Sequence, residues 1–328
     1  MKLPPLSRHD WEHESPVALR LPESWVWDCW FAFDGEYHHA FYLRASRGLY
    51  DPERRHHHTY IGHSRSRDLV TWETLPDALA PSEAPAFDDW TTWTGSVIRD
   101  DSGRWHMYYT GRTRADGGHI QRIVRASSDD LIEWQKDDAW VLQADDTWYE
   151  VLEDGVWTDV TWRDPWMFKS SDGNWKMYVT ARHDSGDTQG RGAIGLAISK
   201  DLDTWQVMPP ASANDCGFAQ MEVLQSEIVD GVPVLLWCVG FNEVADDLKA
   251  SFGAGGVFSA VGKSIEGPFD IRGASRFPHD SLYAARLVQH QGTWFLIGFR
   301  NYENGQFIGE LCDPIPVTAT TDAGLIPR

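Results

Sequence analysis

Short runs rich in Val, Ile, Tyr, Phe and Trp follow one another along the chain, each bounded by Gly, Asp or Pro. This pattern predicts strands separated by tight turns. Two phrases within it repeat, which points to a unit used several times over. The first is Asp68-Leu69-Val70-Thr71-Trp72, which returns as Asp130-Leu131-Ile132-Glu133-Trp134 and as Asp201-Leu202-Asp203-Thr204-Trp205. Each copy follows a strand-like run such as Ile123-Val124-Arg125-Ala126-Ser127, so Asp-Leu predicts a turn and Trp the start of the next strand. The second phrase is Gly103-Arg104-Trp105-His106-Met107-Tyr108-Tyr109-Thr110, repeated as Gly173-Asn174-Trp175-Lys176-Met177-Tyr178-Val179-Thr180. Weaker copies start at Gly35, Gly231 and Gly292.

Five copies of strand, Gly turn and strand, most continuing to a third and fourth strand, describe four-stranded units repeated around an axis. No segment of helical period interrupts them at convincing length. The predicted fold is all-β: one five-bladed β-propeller over residues 25–328, with a polar, Pro-containing arm at 1–24. A β-sandwich would not explain one phrase returning at this spacing.

Composition narrows the partners. A net charge of −20 disfavours nucleic acid and anionic membrane. No apolar run approaches the length of a transmembrane helix, and the N-terminus lacks the apolar core of a signal peptide. Cys29, Cys216, Cys238 and Cys312 form no C-x-x-C pair, so a reduced, cytoplasmic protein is expected. Most of the 18 tryptophans must serve packing, with a minority left to stack on sugar rings. No metal spacing is legible: His56-His57-His58 reads as a solvated loop, and no cofactor is expected.

The candidate chemistry lies at the head of each blade's first strand. Counting back about ten residues from each second-strand phrase reaches Asp28, Ser96, Asp164, Glu222 and Tyr283. Three of the five are acids, although β propensity disfavours Asp. Asp164 sits in Arg163-Asp164-Pro165, where Pro165 suits the first residues of a strand and Arg163 favours an ionised neighbour. Carboxylates meeting in one funnel form a glycosidase arrangement.

These residues also carry a resemblance. Val26-Trp27-Asp28-Cys29-Trp30 resembles the V-W-D-S-W segment around the nucleophile of levansucrases, glycoside hydrolase family 68. Trp93-Thr94-Gly95-Ser96 resembles their W-S-G-S segment, and Arg163-Asp164-Pro165 the R-D-P motif shared with the fructosidases and invertases of family 32. Glu222 falls where those families place the acid/base, and Asp280-Ser281-Leu282-Tyr283-Ala284-Ala285 looks like their fifth-blade segment. The resemblance implies a five-bladed propeller and a retaining enzyme acting on β-fructofuranosides, with a small saccharide as its partner. It implies Asp28 as nucleophile, Asp164 as a binder of ring hydroxyls and Glu222 as acid/base. Trp27, Trp93, Ser96, Arg163, Tyr283 and Arg286 are the expected sugar-binding residues.

Cys29 replaces the family's Ser, and Glu222 lacks the usual following residues, so Glu227 is a rival acid. Family 32 carries a C-terminal β-sandwich for which there is no room here, so a family 68-like, single-domain plan is expected. Asp28 is expected to ionise before Glu222. The alternatives are an inverting, family 43-type arabinofuranosidase or xylosidase and a non-catalytic sugar-binding propeller.

Overall fold

The structure is a computed structural model and describes residues 19–152, 156–253 and 255–328. Most of the expected N-terminal arm lies outside these residues. The strands form five antiparallel sheets, one after another in the chain. Blade 1 holds β1 (Ser24–Phe33), β2 (His38–Ser46), β3 (Tyr60–Ser66) and β4 (Glu73–Leu79). Blade 2 holds β5 (Thr91–Arg99), β6 (Trp105–Arg112), β7 (Arg122–Ser128) and β8 (Gln135–Lys136). Blade 3 holds β9 (Trp162–Lys169), β10 (Trp175–Arg182), β11 (Gly192–Ser199) and β12 (Trp205–Met208). Blade 4 holds β13 (Glu222–Val229), β14 (Val232–Val239), β15 (Gly256–Val261) and β16 (Ser275–Arg276). Blade 5 holds β17 (Leu282–His290), β18 (Thr293–Glu303), β19 (Gln306–Leu311), β20 (Ile315–Thr320) and β21 (Gly324–Pro327).

The first strands pack side by side into a closed ring: β1 on β5, β5 on β9, β9 on β13, β13 on β17 and β17 on β1. The architecture is therefore the five-bladed propeller that the repeats predict. Its apolar cores lie between neighbouring blades, and Trp30, Trp162 and Trp237 are fully buried there.

The repeated phrases have local causes. In the Asp-Leu turns, Asp68 Oδ1 accepts from the amides of Val70 (2.9 Å) and Thr71 (2.7 Å), and Leu69 turns left-handed at φ 63°. Asp130 and Asp201 repeat this around Leu131 and Leu202. Each turn joins the third strand of a blade to the fourth.

All five inner strands carry a β-bulge at the same place. One extra residue follows Trp27, Trp93, Arg163, Glu222 and Tyr283: these are Asp28, Thr94, Asp164, Val223 and Ala284. A bulge bends its strand and re-aims side chains, and here it does so at the head of the channel. It also tolerates Pro165, which follows Asp164 in blade 3. Gly95 has a steric reason to be glycine, since a Cβ there would meet the Tyr108 carbonyl oxygen at 2.5 Å.

The bulges correct the expected register. Asp28, Ser96, Asp164, Glu222 and Tyr283 are not at one height. Asp28 and Asp164 are the extra residues, Glu222 and Tyr283 stand one place before them, and Ser96 stands two places beyond. Counting back from the second strand assumed equal hairpin turns, and these differ from blade to blade.

Candidate active site

A cavity of about 820 Å³ opens at the bulged end of the ring. Asp28, Asp164 and Glu222 all line it, as do Trp27, Trp93, Arg163 and Tyr283. The structure thus brings together seven of the nine residues expected at the site. Its volume is that of a small-molecule pocket.

Thr residues of the repeated phrase connect the bulges. Thr110 Oγ1 donates to the Thr94 carbonyl (3.1 Å) and accepts from the Asp164 amide (3.0 Å). Thr180 Oγ1, at the same place one blade on, donates to Asp164 Oδ2 (2.9 Å) and accepts from the Val223 amide (3.2 Å). Thr110 therefore ties the bulge of blade 2 to that of blade 3, and Thr180 the bulge of blade 3 to that of blade 4.

Arg163 organises the acids. Its Nη2 meets Glu222 Oε1 at 2.6 Å, and its Nε lies 3.4 Å from Asp164 Oδ2. Gln121 Oε1 accepts from Nη1 (3.1 Å), and Gln220 Oε1 accepts from Nη2. Burial alone would pull the guanidinium down; Glu222 and Asp164 outweigh it and hold it above its ordinary value. The Tyr283 hydroxyl donates to the other oxygen of Glu222. Burial, then the Glu222 charge, pushes that phenol well up.

Asp28 lies in a different environment. It is half-buried, with one oxygen accepting from Thr94 Oγ1. No cation pairs with it directly among the described residues. Burial and the nearby Asp164 charge raise its carboxyl to about 7. Asp164 is also raised, by burial first, with Arg163 opposing. Burial and the Asp164 charge thus oppose ionisation of Asp28, and the basic partner, Arg163, serves Asp164 and Glu222 instead.

Two expected binding residues lie elsewhere. Ser96 is buried and donates to the Pro165 carbonyl (2.5 Å), and Thr94 takes its place beside Asp28. Arg286 is buried behind the pocket wall and donates to the Val223 and Leu224 carbonyls. Trp166, which flanks the Arg-Asp-Pro motif, packs towards blade 4 rather than lining the cavity. The rival acid, Glu227, stands at the far end of β13 and does not line the cavity; burial raises it to about 7.

Other wall residues carried no signal in the repeats. The His56-His57-His58 segment is not simply a solvated loop: it closes a 3₁₀ turn, Pro52–His57, whose Arg55 and His56 line the cavity. Tyr302 and Asn301 come from the end of β18, beyond its pairing with β20, where it pairs with β19. Tyr302 donates to Glu53 (2.7 Å), joining blade 5 to blade 1 across the rim. Phe241, 73% exposed, stands on the same rim after β14.

The model of the glycosyl hydrolases family 32 N-terminal domain matches residues 27–299. A sucrose-6-phosphate hydrolase of Zymomonas mobilis is 34% identical over 178 residues, 53% of this chain and 31% of the relative. An insoluble β-fructofuranosidase isoenzyme of Arabidopsis thaliana is 26% identical over 271 residues, 76% of this chain and 45% of the relative. The chain thus spans less than half the length of these curated relatives. Among solved structures, an inulosucrase from Halalkalicoccus jeotgali bound to kestose superposes with a TM-score of 0.75 at 22% identity, covering 96% of this chain and 93% of that one. Bacillus subtilis levansucrase gives a TM-score of 0.71 at 14% identity, covering 99% and 90%. These likenesses establish the fold, shared with chains of comparable length. With the match running through all five bulged strands, the chain belongs to the glycosyl hydrolase family 32 N-terminal domain family.

Proposed function

We propose that this protein is a retaining glycoside hydrolase or fructosyltransferase acting on uncharged β-fructofuranosides. The observation that carries this reading is the convergence of Asp28, Asp164 and Glu222 on one cavity, with Arg163 joining two of them. Asp28 attacks the anomeric carbon and forms a fructosyl ester, while Glu222 protonates the departing oxygen. Glu222 then takes a proton from the incoming water or sugar hydroxyl. Retention requires the two carboxyls to stand about 5–5.5 Å apart in the substrate complex. Asp164 accepts hydrogen bonds from adjacent ring hydroxyls and offsets the oxocarbenium-like charge. Arg163 and Tyr283 hold both oxygens of Glu222, which fixes its aim.

The lining charges support an uncharged substrate. Arg55 is paired with Glu53 (3.2 Å), Arg276 with Asp280 (3.0 Å) and Arg163 with Glu222 (2.6 Å). Asp28, Asp159 and Asp164 add further acid to the same wall. A sugar phosphate would enter this field with about two more negative charges. Sucrose, short fructo-oligosaccharides and fructose dianhydrides fit it better than sucrose 6-phosphate, the substrate in the name of the Zymomonas relative. Exposed Phe241 and Tyr302 offer faces on which a sugar ring beyond the fructosyl unit can stack.

The test is a screen of these four sugar types for released fructose, with the first-formed anomer read by NMR. β-Fructose from the uncharged sugars, with sucrose 6-phosphate at least tenfold poorer in kcat/KM, is the expected result. The α-anomer would instead support an inverting, family 43-type enzyme. Weak binding without turnover across the panel would leave a sugar-binding propeller.

A further inference from the structure

Arg286 is 1% exposed. Its Nη1 donates to the carbonyls of Val223 (3.3 Å) and Leu224 (2.5 Å), and the guanidinium lies 5.2 Å from the centre of the Trp166 ring. Among the described residues, Nε and Nη2 have no hydrogen-bond partner and no carboxylate comes within 4.0 Å. An unpaired buried guanidinium is costly, so its retention calls for a use. Burial pulls it down from its ordinary value, and Asp164 is the largest influence holding it up, with Asp28 contributing.

The two carbonyls that it holds form the bulge of β13. Val223 there has φ 57°, a conformation that a β-branched residue adopts only where its surroundings impose it. The Val223 amide faces Asp164 Oδ2 (3.3 Å), and Glu222 is the residue immediately before. Arg286 thus grips from behind the peptide segment that presents Glu222 and one donor to Asp164.

We propose that Arg286 is a positioning residue of the site: it clamps the strained Val223–Leu224 bulge and sets an unpaired positive charge behind Asp164. It does not touch the sugar. The inference rests on the fructoside reading above, and its failure is separable from that reading's failure. If no fructoside is turned over by the native protein, the reading falls. If turnover is present and Arg286 variants behave as native, only this inference falls.

The groups that share the field are few. The charges of Asp164, Glu222 and Arg55 act on Asp28; those of Arg163, Glu222 and Arg286 act on Asp164; and the Cys29 and Cys238 thiols lie within the field of Arg286. Arg286→Met removes clamp and charge. It is expected to lower kcat by about a hundredfold with KM within about threefold. It should also move the acidic limb of kcat/KM upward by about one pH unit, because a lost cation favours the protonated acids. Arg286→Lys keeps the charge but not the two-carbonyl grip. Its limb should stay within about 0.3 pH unit of native while kcat falls about tenfold. A loss confined to KM, or an unmoved limb in folded Arg286→Met, overturns the proposal. Should Arg286→Met fail to fold, Arg286→Lys decides alone: native kcat, or a limb displaced upward, overturns it.

Discussion

Asp28→Asn tests the site through stability as well as activity. In the folded chain the Asp28 carboxyl lies at about 7, against an ordinary value of 3.8. The folded state therefore holds its proton where the unfolded chain has released it, so stability falls as pH rises from about 4 through 7. The distance from 3.8 to 7, at 1.36 kcal/mol per pH unit, sets a ceiling of about 4 kcal/mol above pH 7. Asp28 is only half-buried, and water in the open cavity screens it, so about 2 kcal/mol is the reasonable figure. Asparagine cannot ionise and should be more stable than native by about that amount at pH 8. At pH 5 the native residue is protonated, and the gap should shrink to below about 1 kcal/mol. Urea denaturation at both pH values measures the gap, and fructose release should drop by about 10³-fold or more in parallel. A gap that is constant between pH 5 and 8, or a variant less stable than native at pH 8, would refute the electrostatic reasoning. Full activity in a folded Asp28→Asn protein would refute the nucleophile.

Three further changes probe the same floor. Thr94→Val removes the hydroxyl that donates to Asp28, so the acidic limb should move upward and kcat/KM should fall about tenfold more at pH 6 than at pH 8; equal loss at both pH values would remove Thr94 from the electrostatics. Glu222→Gln should slow poor leaving groups by about 10² relative to activated aryl fructosides, whereas Glu227→Gln should stay within about threefold of native on both; the reverse pattern would reassign the acid. Asp164→Asn should lower kcat more than it raises KM, because its bonds to ring hydroxyls tighten in the transition state; a pure KM effect would make it an ordinary binding residue.

The blades were legible in the sequence because their signals are local. Asp68, Asp130 and Asp201 each satisfy amides two and three residues on, so the phrase that builds the turn can be read from the phrase alone. The acids were legible for a related reason: an Asp in a β run is out of place unless a bulge holds it, and Asp28 and Asp164 are both bulge residues. Their height was not legible. A bulge exists only in the pairing of two strands, so Thr94 and Ser96 could not be told apart by counting along one. Arg55, Phe241 and Tyr302 escaped for the opposite reason, since they stand on segments that no other blade repeats.

Thr110 and Thr180 show where local reading stops. Both were visible as one letter of a repeated phrase, with nothing to mark them from the strand around them. Each spends its hydroxyl on a neighbouring blade, one joining Thr94 to Asp164 and the other Asp164 to Val223. The repeated phrase thus aligns the bulges of blades 2, 3 and 4, while the bulge residue itself differs around the ring: Asp, Thr, Asp, Val and Ala. Thr180→Val removes the tie between the bulges of blades 3 and 4. It should leave every carboxyl in place chemically while loosening the Asp164 and Val223 bulges together. Its loss of kcat, about tenfold or more, should then exceed the effect of the same change at an outward-facing strand threonine such as Thr318.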